Sequence, residues 1–302
     1  MKRPEPKIVH KPVLVNQVLE YLDVKPGGIY IDATFGSGGH TRAILDSAPD
    51  VRVIAFDWSE QALDTFGTTL QDEYGSRLEL VWGNFAHLYK LVKKLNVENF
   101  DGILADFGTS QVQIKTQAGF SFSHDTHLDM RMSPAHQKLT AYELVNKAKP
   151  DKLVDIFKNL GEEKRARSIV NAIVTERQKR PISTTKQLAD LIVKVVPKGE
   201  LRIHPATKVF QALRIFVNKE LENIQSFLSA ATSLLAPEGR LVCISFHSLE
   251  DRIVKNFFRQ QELMQTLKIV TPQVVIADEK ELITNPSARS AKLRAAQKIS
   301  AS

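Results

Sequence analysis

Tyr30-Ile31-Asp32-Ala33-Thr34-Phe35-Gly36-Ser37-Gly38-Gly39-His40 reads as a short apolar strand that ends in an acid and breaks into a glycine-rich turn. A helix-like segment follows from Thr41 to Ala48, and a second strand, Val51-Arg52-Val53-Ile54-Ala55-Phe56, ends on Asp57. Glycines let a backbone approach a ligand closely, and a carboxylate about 20 residues later can take a ribose diol. Outward from this unit the rhythm continues. Leu78-Glu79-Leu80-Val81-Trp82 runs into Gly83-Asn84-Phe85, and Asp101-Gly102-Ile103-Leu104-Ala105-Asp106 runs into Phe107-Gly108. The segments between, near 60–74 and 86–96, have the length of crossover helices. Strands alternating with helices predict an α/β fold with a parallel sheet and right-handed crossovers.

The rhythm stops at Gly108 and resumes at Gly239-Arg240-Leu241-Val242-Cys243-Ile244-Ser245-Phe246. About 130 residues intervene, reading as loop and then helix. Thr140-Ala141-Tyr142-Glu143 has capping-box spacing. Pro150 suits a first helical turn, and Leu153, Ile156, Phe157 and Leu160 share one face. Further helices are predicted around 162–178 and from Thr184 to Val196. The expected organisation is a sheet domain, 1–114 and 206–302, that carries an inserted helical domain, 115–205.

Composition bounds the partners. The chain has 302 residues, 43% hydrophobic and 25% charged, with a formal net charge of +7. That is a globular mix with a basic balance that favours a polyanionic partner. The single cysteine, Cys243, permits no intrachain disulfide. Met1-Lys2-Arg3-Pro4-Glu5-Pro6 lacks the apolar core of a signal peptide, and no apolar run reaches the ~20 residues that cross a bilayer. The expectation is a soluble cytoplasmic protein without membrane partners.

The glycine turn selects among nucleotides. A dinucleotide loop has Gly-x-Gly-x-x-Gly, and here the third position is Thr41. The fit to a nicotinamide dinucleotide is therefore poor. S-adenosylmethionine, which needs a ribose carboxylate but has no pyrophosphate, fits better, while a tight turn without a ligand stays open as the plain alternative. Asp57, Phe85 and Asp106 all fall at carboxyl ends of strands, where open α/β sheets bind ligands. Asp57 would accept from ribose hydroxyls, Phe85 would flank the adenine, and Asp106 would lie near the methionine part or the reacting base.

The substrate side is read from three segments. Gly119-Phe120-Ser121-Phe122 and Leu128-Asp129-Met130-Arg131-Met132 lie in the long loop after the fourth strand. Phe120 or Phe122 could stack on an extruded base and Arg131 could bind a phosphate; anchoring of the loop to the core is the equal alternative. From Lys158 to Arg180 seven cations face three acids, a net +4. On the helix beginning at Pro205, His204, Lys208, Gln211, Arg214 and Asn218 share one arc, which suits phosphates and base edges or an ordinary exposed face. Ser245-Phe246-His247-Ser248-Leu249-Glu250-Asp251-Arg252 is no hydrolase triad, since neighbours on one turn do not converge. His247 is instead placed in the cleft at the end of the fifth strand. The histidines show no metal-ligand spacing, so no metal is expected.

Taken together, His10-Lys11-Pro12-Val13-Leu14, Asp32 through Thr41, Gly119-Phe120-Ser121-Phe122, Leu128-Asp129-Met130-Arg131-Met132, Gly161-Glu162-Glu163, His204 through Ile215, Ile244 through Arg252, and the tail from Asn285-Pro286 to Ser290-Ala291-Lys292-Leu293-Arg294 resemble the MraW (RsmH) family over residues 10 to about 298. The resemblance implies a class I (Rossmann-like) methyltransferase with an inserted helical domain. It implies N4-methylation of a cytidine in the decoding region of bacterial 16S ribosomal RNA, in the small ribosomal subunit, with S-adenosyl-L-methionine as cofactor. It assigns cofactor contacts to Gly38, Gly39, His40, Asp57, Phe85, Asp106 and Gln113. A homodimer is admitted alongside a monomer. The chain departs from the family pattern at Lys115, Ala118, Thr126, His127, Ser133 and Lys208, all on the substrate side; at Lys208 the family has arginine, which is not equivalent to an ammonium.

Two other readings share parts of this pattern. An NAD-linked oxidoreductase would need the third glycine, and a non-catalytic RNA-binding factor would not need the acidic strand ends. Carbon-5 methylation of cytosine would need a cysteine nucleophile, and Cys243 sits mid-strand in an apolar run. For an amine target, an acceptor must take an N–H as the nitrogen pyramidalises, a role expected of Asp106 or of a carbonyl in the 107–110 turn.

Overall fold

A computed structural model describes residues 11–95, 97–108, 118–196 and 203–300. The chain divides into two compact units, one of residues 1–110 with 221–302 and one of residues 111–220.

The first unit is built on a seven-stranded sheet. Its strands are β1 (Ile29–Asp32), β2 (Arg52–Asp57), β3 (Leu78–Trp82), β4 (Phe100–Asp106), β5 (Leu235–Ser245), β6 (Leu267–Ile269) and β7 (Lys292–Lys298). Their spatial order is β3-β2-β1-β4-β5-β7-β6. The first five run parallel, and β7 is antiparallel to both β5 and β6. The central strands read as near-continuous apolar runs because both faces are covered. Tyr30, Val53, Ala55, Leu104 and Val242 belong to one core cluster, while Ile31, Ile54, Phe56, Ile103 and Leu241 belong to another. That alternation is the period-2 pleat burying one side chain up and the next down.

The helices that cover the sheet are α1 (Val15–Leu22), α2 (Gly39–Asp46), a run from Glu60 to Tyr74, α5 (Leu88–Val92), and the long helices Glu220–Leu234 and Ser248–Leu263. The run from Glu60 to Tyr74 comprises α3 (Glu60–Ala62), a π-helical turn over Leu63–Gly67 and α4 (Thr68–Tyr74). Chain order and spatial order diverge at β1: the chain steps outward from β1 to β2 and β3, then returns to place β4 on β1's other side. This switch point is where an open α/β sheet leaves a crevice beyond its carboxyl edge.

Strands β6 and β7 escaped the sequence reading. β7 (KLRAAQK) is short and half polar, yet Leu293, Ala295 and Ala296 are fully buried and it pairs along β5 from Arg240 to Ser245. β5 itself begins at Leu235 rather than Gly239, because the register jumps between the Phe100–Leu235 and Gly102–Arg240 pairs and the extra residues bulge out.

The second unit is helical. Its helices are α6 (Ala141–Lys147), α7 (Pro150–Asn159), α8 (Ala166–Arg177), α9 (Thr185–Val195) and α10 (Thr207–Asn218). Their starts are written locally. The Thr140 Oγ1 accepts from the Glu143 N–H at 3.1 Å while a Glu143 carboxylate oxygen accepts from the Thr140 N–H at 3.3 Å, and Thr184 with Gln187 repeats the box. Each such cap is worth about 1 kcal/mol. Pro150 occupies the first turn of α7, whose Leu153, Ile156 and Phe157 are buried.

One boundary moves. Residues 206–220, assigned to the sheet domain from sequence, lie in the second unit. The cause is the apolar stripe of α10: Val209, Phe210, Ala212, Leu213 and Val217 pack into one core cluster with Leu144, Leu153, Phe157, Ile169, Leu188 and Ile192. Among the described residues, no helix is long and apolar enough to cross a membrane.

Candidate active site

Three adjacent strands, β2, β1 and β4, end on Asp57, Asp32 and Asp106. The turn after β1 is held against its neighbours by its own backbone. The Phe35 N–H donates to the Phe56 carbonyl at 2.8 Å, and the Ala33 N–H to the Leu104 carbonyl at 2.8 Å. The Gly36 N–H donates to Asp57 Oδ2 at 2.7 Å, and the Asp57 Oδ1 accepts from the Ser59 N–H at 2.7 Å. Backbone donors thus hold both oxygens of Asp57, which fixes the plane of the carboxylate.

Two glycines shape the turn. Gly36 has φ +57°, and a Cβ there would meet nothing nearer than the Thr34 carbonyl oxygen at 3.9 Å. The backbone is open on that side, so a ligand can lie directly against it. Gly38, at φ +78°, is the N-cap of α2; a Cβ there would come within 2.7 Å of Leu70 and 2.9 Å of the Phe35 ring. The turn requires glycine at that position for both conformation and packing.

Asp32, Thr34, Thr41 and His40 tie the three strand ends together. Asp32 is fully buried; its Oδ2 accepts from the Thr41 hydroxyl at 2.7 Å and its Oδ1 from the Thr34 N–H at 3.1 Å. Thr34 Oγ1 accepts from the Asp106 N–H at 2.7 Å. His40 is buried, with Nε2 2.8 Å from the Val13 carbonyl. A carbonyl can only accept, so Nε2 carries the hydrogen and the other ring nitrogen, Nδ1, faces Asp106 Oδ2 at 4.0 Å. None of Asp32, Thr34 or Thr41 stood among the residues picked from sequence, although an acid closing the first strand was visible there.

The electrostatics follow from burial. Loss of water pushes the Asp106 carboxyl up to about 6; His40 and the Gly108 N–H pull it down, while Asp32 and Glu250 push it further up. Burial likewise pushes Asp57 up to about 6 against the pull of the Ser59 and Gly36 N–H groups, with Asp32 adding to the rise. Burial raises Asp32 too, offset by His40 and Thr41. Asp32 and Asp106 share the field of the His40 imidazole, while Asp57 feels Asp32, so burial and like charge together favour protonated carboxyls here.

Phe85, just past β3, is half-buried against an aromatic cluster. Its ring centroid is 5.8 Å from Phe107 and 5.6 Å from Phe227, and Phe107 and Phe227 meet edge-on at 5.8 Å. One face of the site is therefore apolar and preorganised. His247 lies beyond the end of β5, where its side chain caps the helix Ser248–Leu263 by accepting from the Glu250 N–H. Gln113 and Lys115 lie outside the described residues.

Apart from His247, which belongs to the first unit, the substrate residues picked from sequence fall in the second unit, and most have internal partners. Arg131 does not present a free guanidinium. Its Nε and Nη2 donate to the two oxygens of Asp129 at 2.7 and 2.8 Å, and its Nη1 donates to the Gln137 carbonyl at 3.1 Å. Arg214 is clamped to Glu220 by two bonds of 2.9 Å. Asn218 is buried, accepting from the Met132 N–H and donating to the Met130 and Arg214 carbonyls. The arc of α10 is thus largely structural at its C-terminal end. At its N-terminal end Lys208 donates to the Glu162 carbonyl at 3.0 Å, and the His204 ring stacks on Phe122 with centroids 4.6 Å apart. Gln211 and Phe120 remain partly exposed. Two departures from the family pattern are internal stitches: Thr126 holds the Gly119 N–H, and His127 bridges to Thr184. Ser133 Oγ lies 2.8 Å from His136 Nδ1.

Comparison with known proteins identifies the family. The sequence signature of the MraW methylase family matches residues 7–299. A protein of Cyanothece sp. named ribosomal RNA small subunit methyltransferase H is 48% identical over 298 residues, covering 98% of this chain and 97% of the relative. Relatives of the same name from Bradyrhizobium diazoefficiens and Carboxydothermus hydrogenoformans are 46% and 43% identical, over 97% and 96% of this chain and 92% and 98% of theirs. The chain belongs to the MraW methylase family, whose methyl donor is S-adenosylmethionine.

Proposed function

We propose that the protein methylates the N4 amine of a cytidine in the decoding region of 16S ribosomal RNA, working on the small ribosomal subunit in the cytoplasm. The observation that carries the reading is the ring of acidic strand ends around an open glycine turn at the sheet's switch point, in a chain whose relatives carry the name ribosomal RNA small subunit methyltransferase H.

The cofactor supplies a methyl group on a sulfonium. Asp57, held rigid by Gly36 and Ser59, would take the ribose hydroxyls. Gly36 would let the backbone lie against the donor, Gly38 and Gly39 would hold the turn in the shape that contacts it, and Phe85 would border the adenine. Gln113 completes the family's contact set. The amine of cytosine is a weak nucleophile because its lone pair is delocalised into the ring, so positioning at about 3 Å in line with the breaking bond carries much of the rate. Asp106 would accept an N–H hydrogen bond as the nitrogen pyramidalises and then take the proton the methylated amine must lose. A proton on His40 Nδ1, which faces Asp106 Oδ2 at 4.0 Å, would favour the ionised carboxylate that this role requires. Carbon-5 chemistry lacks its nucleophile here: Cys243 is fully buried in β5 and burial pushes its thiol far up.

The helical unit would present the RNA. Phe120, His204, Lys208 and Gln211 offer aromatic and polar contacts, whereas Arg131 and Arg214 would act by holding their segments in place. The deciding experiment is methyl transfer from labelled S-adenosylmethionine to small subunits isolated without the modification, followed by nucleoside mapping. N4-methylcytidine at one decoding-region position is the expected product. Label at carbon 5, on another nucleotide, or nowhere overturns the proposal. Calorimetry with S-adenosylmethionine and with NAD separates it from an oxidoreductase and from a non-catalytic RNA-binding factor.

A further inference from the structure

The family-like tail that ends at Arg294 has no part in methyl transfer as derived above, and its arginine leads to a different place. A pocket of about 390 Å³ in the first unit is bordered by the helix Ser248–Leu263, strand β6, strand β7 and the segment 271–274. Its cations are Lys255, Arg259 and Arg294, and Phe258, Ile269 and Gln273 line it with them. Lys255 and Arg259 are one turn apart, so they stand on one face of their helix.

The acids nearby are already committed. Asp251 accepts from Arg294 Nε at 2.6 Å and Nη2 at 3.2 Å, and Glu262 accepts from the Ile269 N–H at 2.9 Å. Among the described residues, neither Lys255 nor Arg259 is ion-paired. The pair with Asp251 sets the orientation of the Arg294 guanidinium. Two uncompensated cations and an anchored guanidinium thus stand around an apolar floor, with the Gln273 amide at the rim. Cations that take a phosphate beside a surface that takes a base face are the elements of single-stranded nucleic-acid sites. The pocket also lies away from the methyl-transfer centre. β6 stands three strands from β4, which at about 4.8 Å per strand is roughly 14 Å across the sheet.

We propose that this pocket is a second RNA site, seating a nucleotide of the substrate RNA other than the one methylated, with its phosphate among Lys255, Arg259 and Arg294 and its base on the apolar floor. The proposal rests on the RNA-methylating reading above and adds where the RNA is gripped beyond the target base.

The test is the full-length double variant K255A/R259A against the unaltered protein, with K255R/R259K as the charge-keeping control. A fluorescent single-stranded RNA oligonucleotide serves as probe, and affinity is measured across a fourfold range of KCl. The one phosphate seated in the pocket contributes about 0.7 to the salt slope on a single strand, so losing it removes about 0.7 and the unaltered protein's affinity should fall ~2.6-fold further than the variant's over that range. The control should keep the full slope, and KM for small subunits should rise in the alanine variant while kcat and calorimetric affinity for S-adenosylmethionine hold. An alanine variant with the unaltered slope and KM overturns the pocket, as does a raised KM on assembled subunits with an unchanged slope on RNA, which would assign the surface to a ribosomal protein. Methyl transfer by the unaltered protein is read in parallel: its absence sinks the proposed function, whereas its presence with a silent double variant sinks only the pocket.

Discussion

Replacing Asp106 by Asn should leave the protein more stable and less active, with a stability gain that disappears in acid. The carboxylate is 17% exposed, faces His40, Asp32 and Glu250, and titrates near 6 instead of 3.8, chiefly through burial. A group whose folded pKa is raised favours the fold below its unfolded pKa, and that support is lost as pH rises through the folded value. Above pH 6 the wild-type fold therefore carries an ionised, poorly hydrated carboxylate. The rise from 3.8 to about 6 corresponds to about 3 kcal/mol at pH 8. Asparagine has the same shape and no charge, and its oxygen can keep accepting from the Gly108 N–H, now 3.3 Å from Asp106 Oδ1. For a unit of roughly 190 residues, 3 kcal/mol is an upper bound of about 6–12 °C in Tm. The assay is thermal unfolding of the cofactor-free protein at pH 8, 6 and 4.5. The difference should be full at pH 8, still about 2.6 kcal/mol at pH 6 and about 1 kcal/mol at pH 4.5. A variant that melts below wild type at pH 8, or by the same margin at every pH, would refute the reasoning. Methyl transfer by the same variant should fall about 100-fold or more, because an amide cannot take the proton. Unchanged turnover would remove Asp106 from the acceptor role.

Three further outcomes test the same site. Gly38→Ala places a Cβ 2.7 Å from Leu70 at φ +78°, so the turn must shift, and calorimetric affinity for S-adenosylmethionine should drop at least ~10-fold; unchanged affinity would take this turn out of the cofactor site. Asp57→Asn turns an amide N–H₂ toward the Gly36 or Ser59 N–H and removes a charge-assisted acceptor, so affinity should fall ~10- to 100-fold; altered stability with intact affinity would count against the ribose role. Cys243→Ala should retain full methyl transfer at a loss of about 1 kcal/mol by denaturant unfolding; abolished transfer in a folded variant would revive cysteine chemistry.

What the sequence disclosed was whatever is local. Thr140 with Glu143 and Pro150 fix helix starts within four residues, and the structure has both. Apolar runs marked β1 through β4 because strands covered on both faces need no partner in sequence to look buried. β7 was hidden since its pattern makes sense only beside β5, more than 40 residues earlier in the chain. The same limit governs the side chains. Arg131 and Arg214 look like free cations in one dimension, and only the fold shows that Asp129 and Glu220 hold them. The glycine turn and Asp57 could be matched at a distance of 21 residues. The bond from Asp106 to Thr34, 72 residues apart, could not.

The split of the first unit by residues 111–220 constrains the order of assembly. β4 ends at Asp106 and its parallel partner β5 begins at Leu235, so the sheet closes across a span far longer than the usual crossover. For a flexible connection, closure entropy grows as three-halves RT times the logarithm of length, a handicap of about 2 kcal/mol over a ten-residue link. The helical insert is contiguous and has its own core, so it can condense while β4 still waits for a neighbour. A span that has already folded no longer behaves as a floppy tether, and the central seam of the sheet can then zip at a speed that its sequence separation alone would forbid.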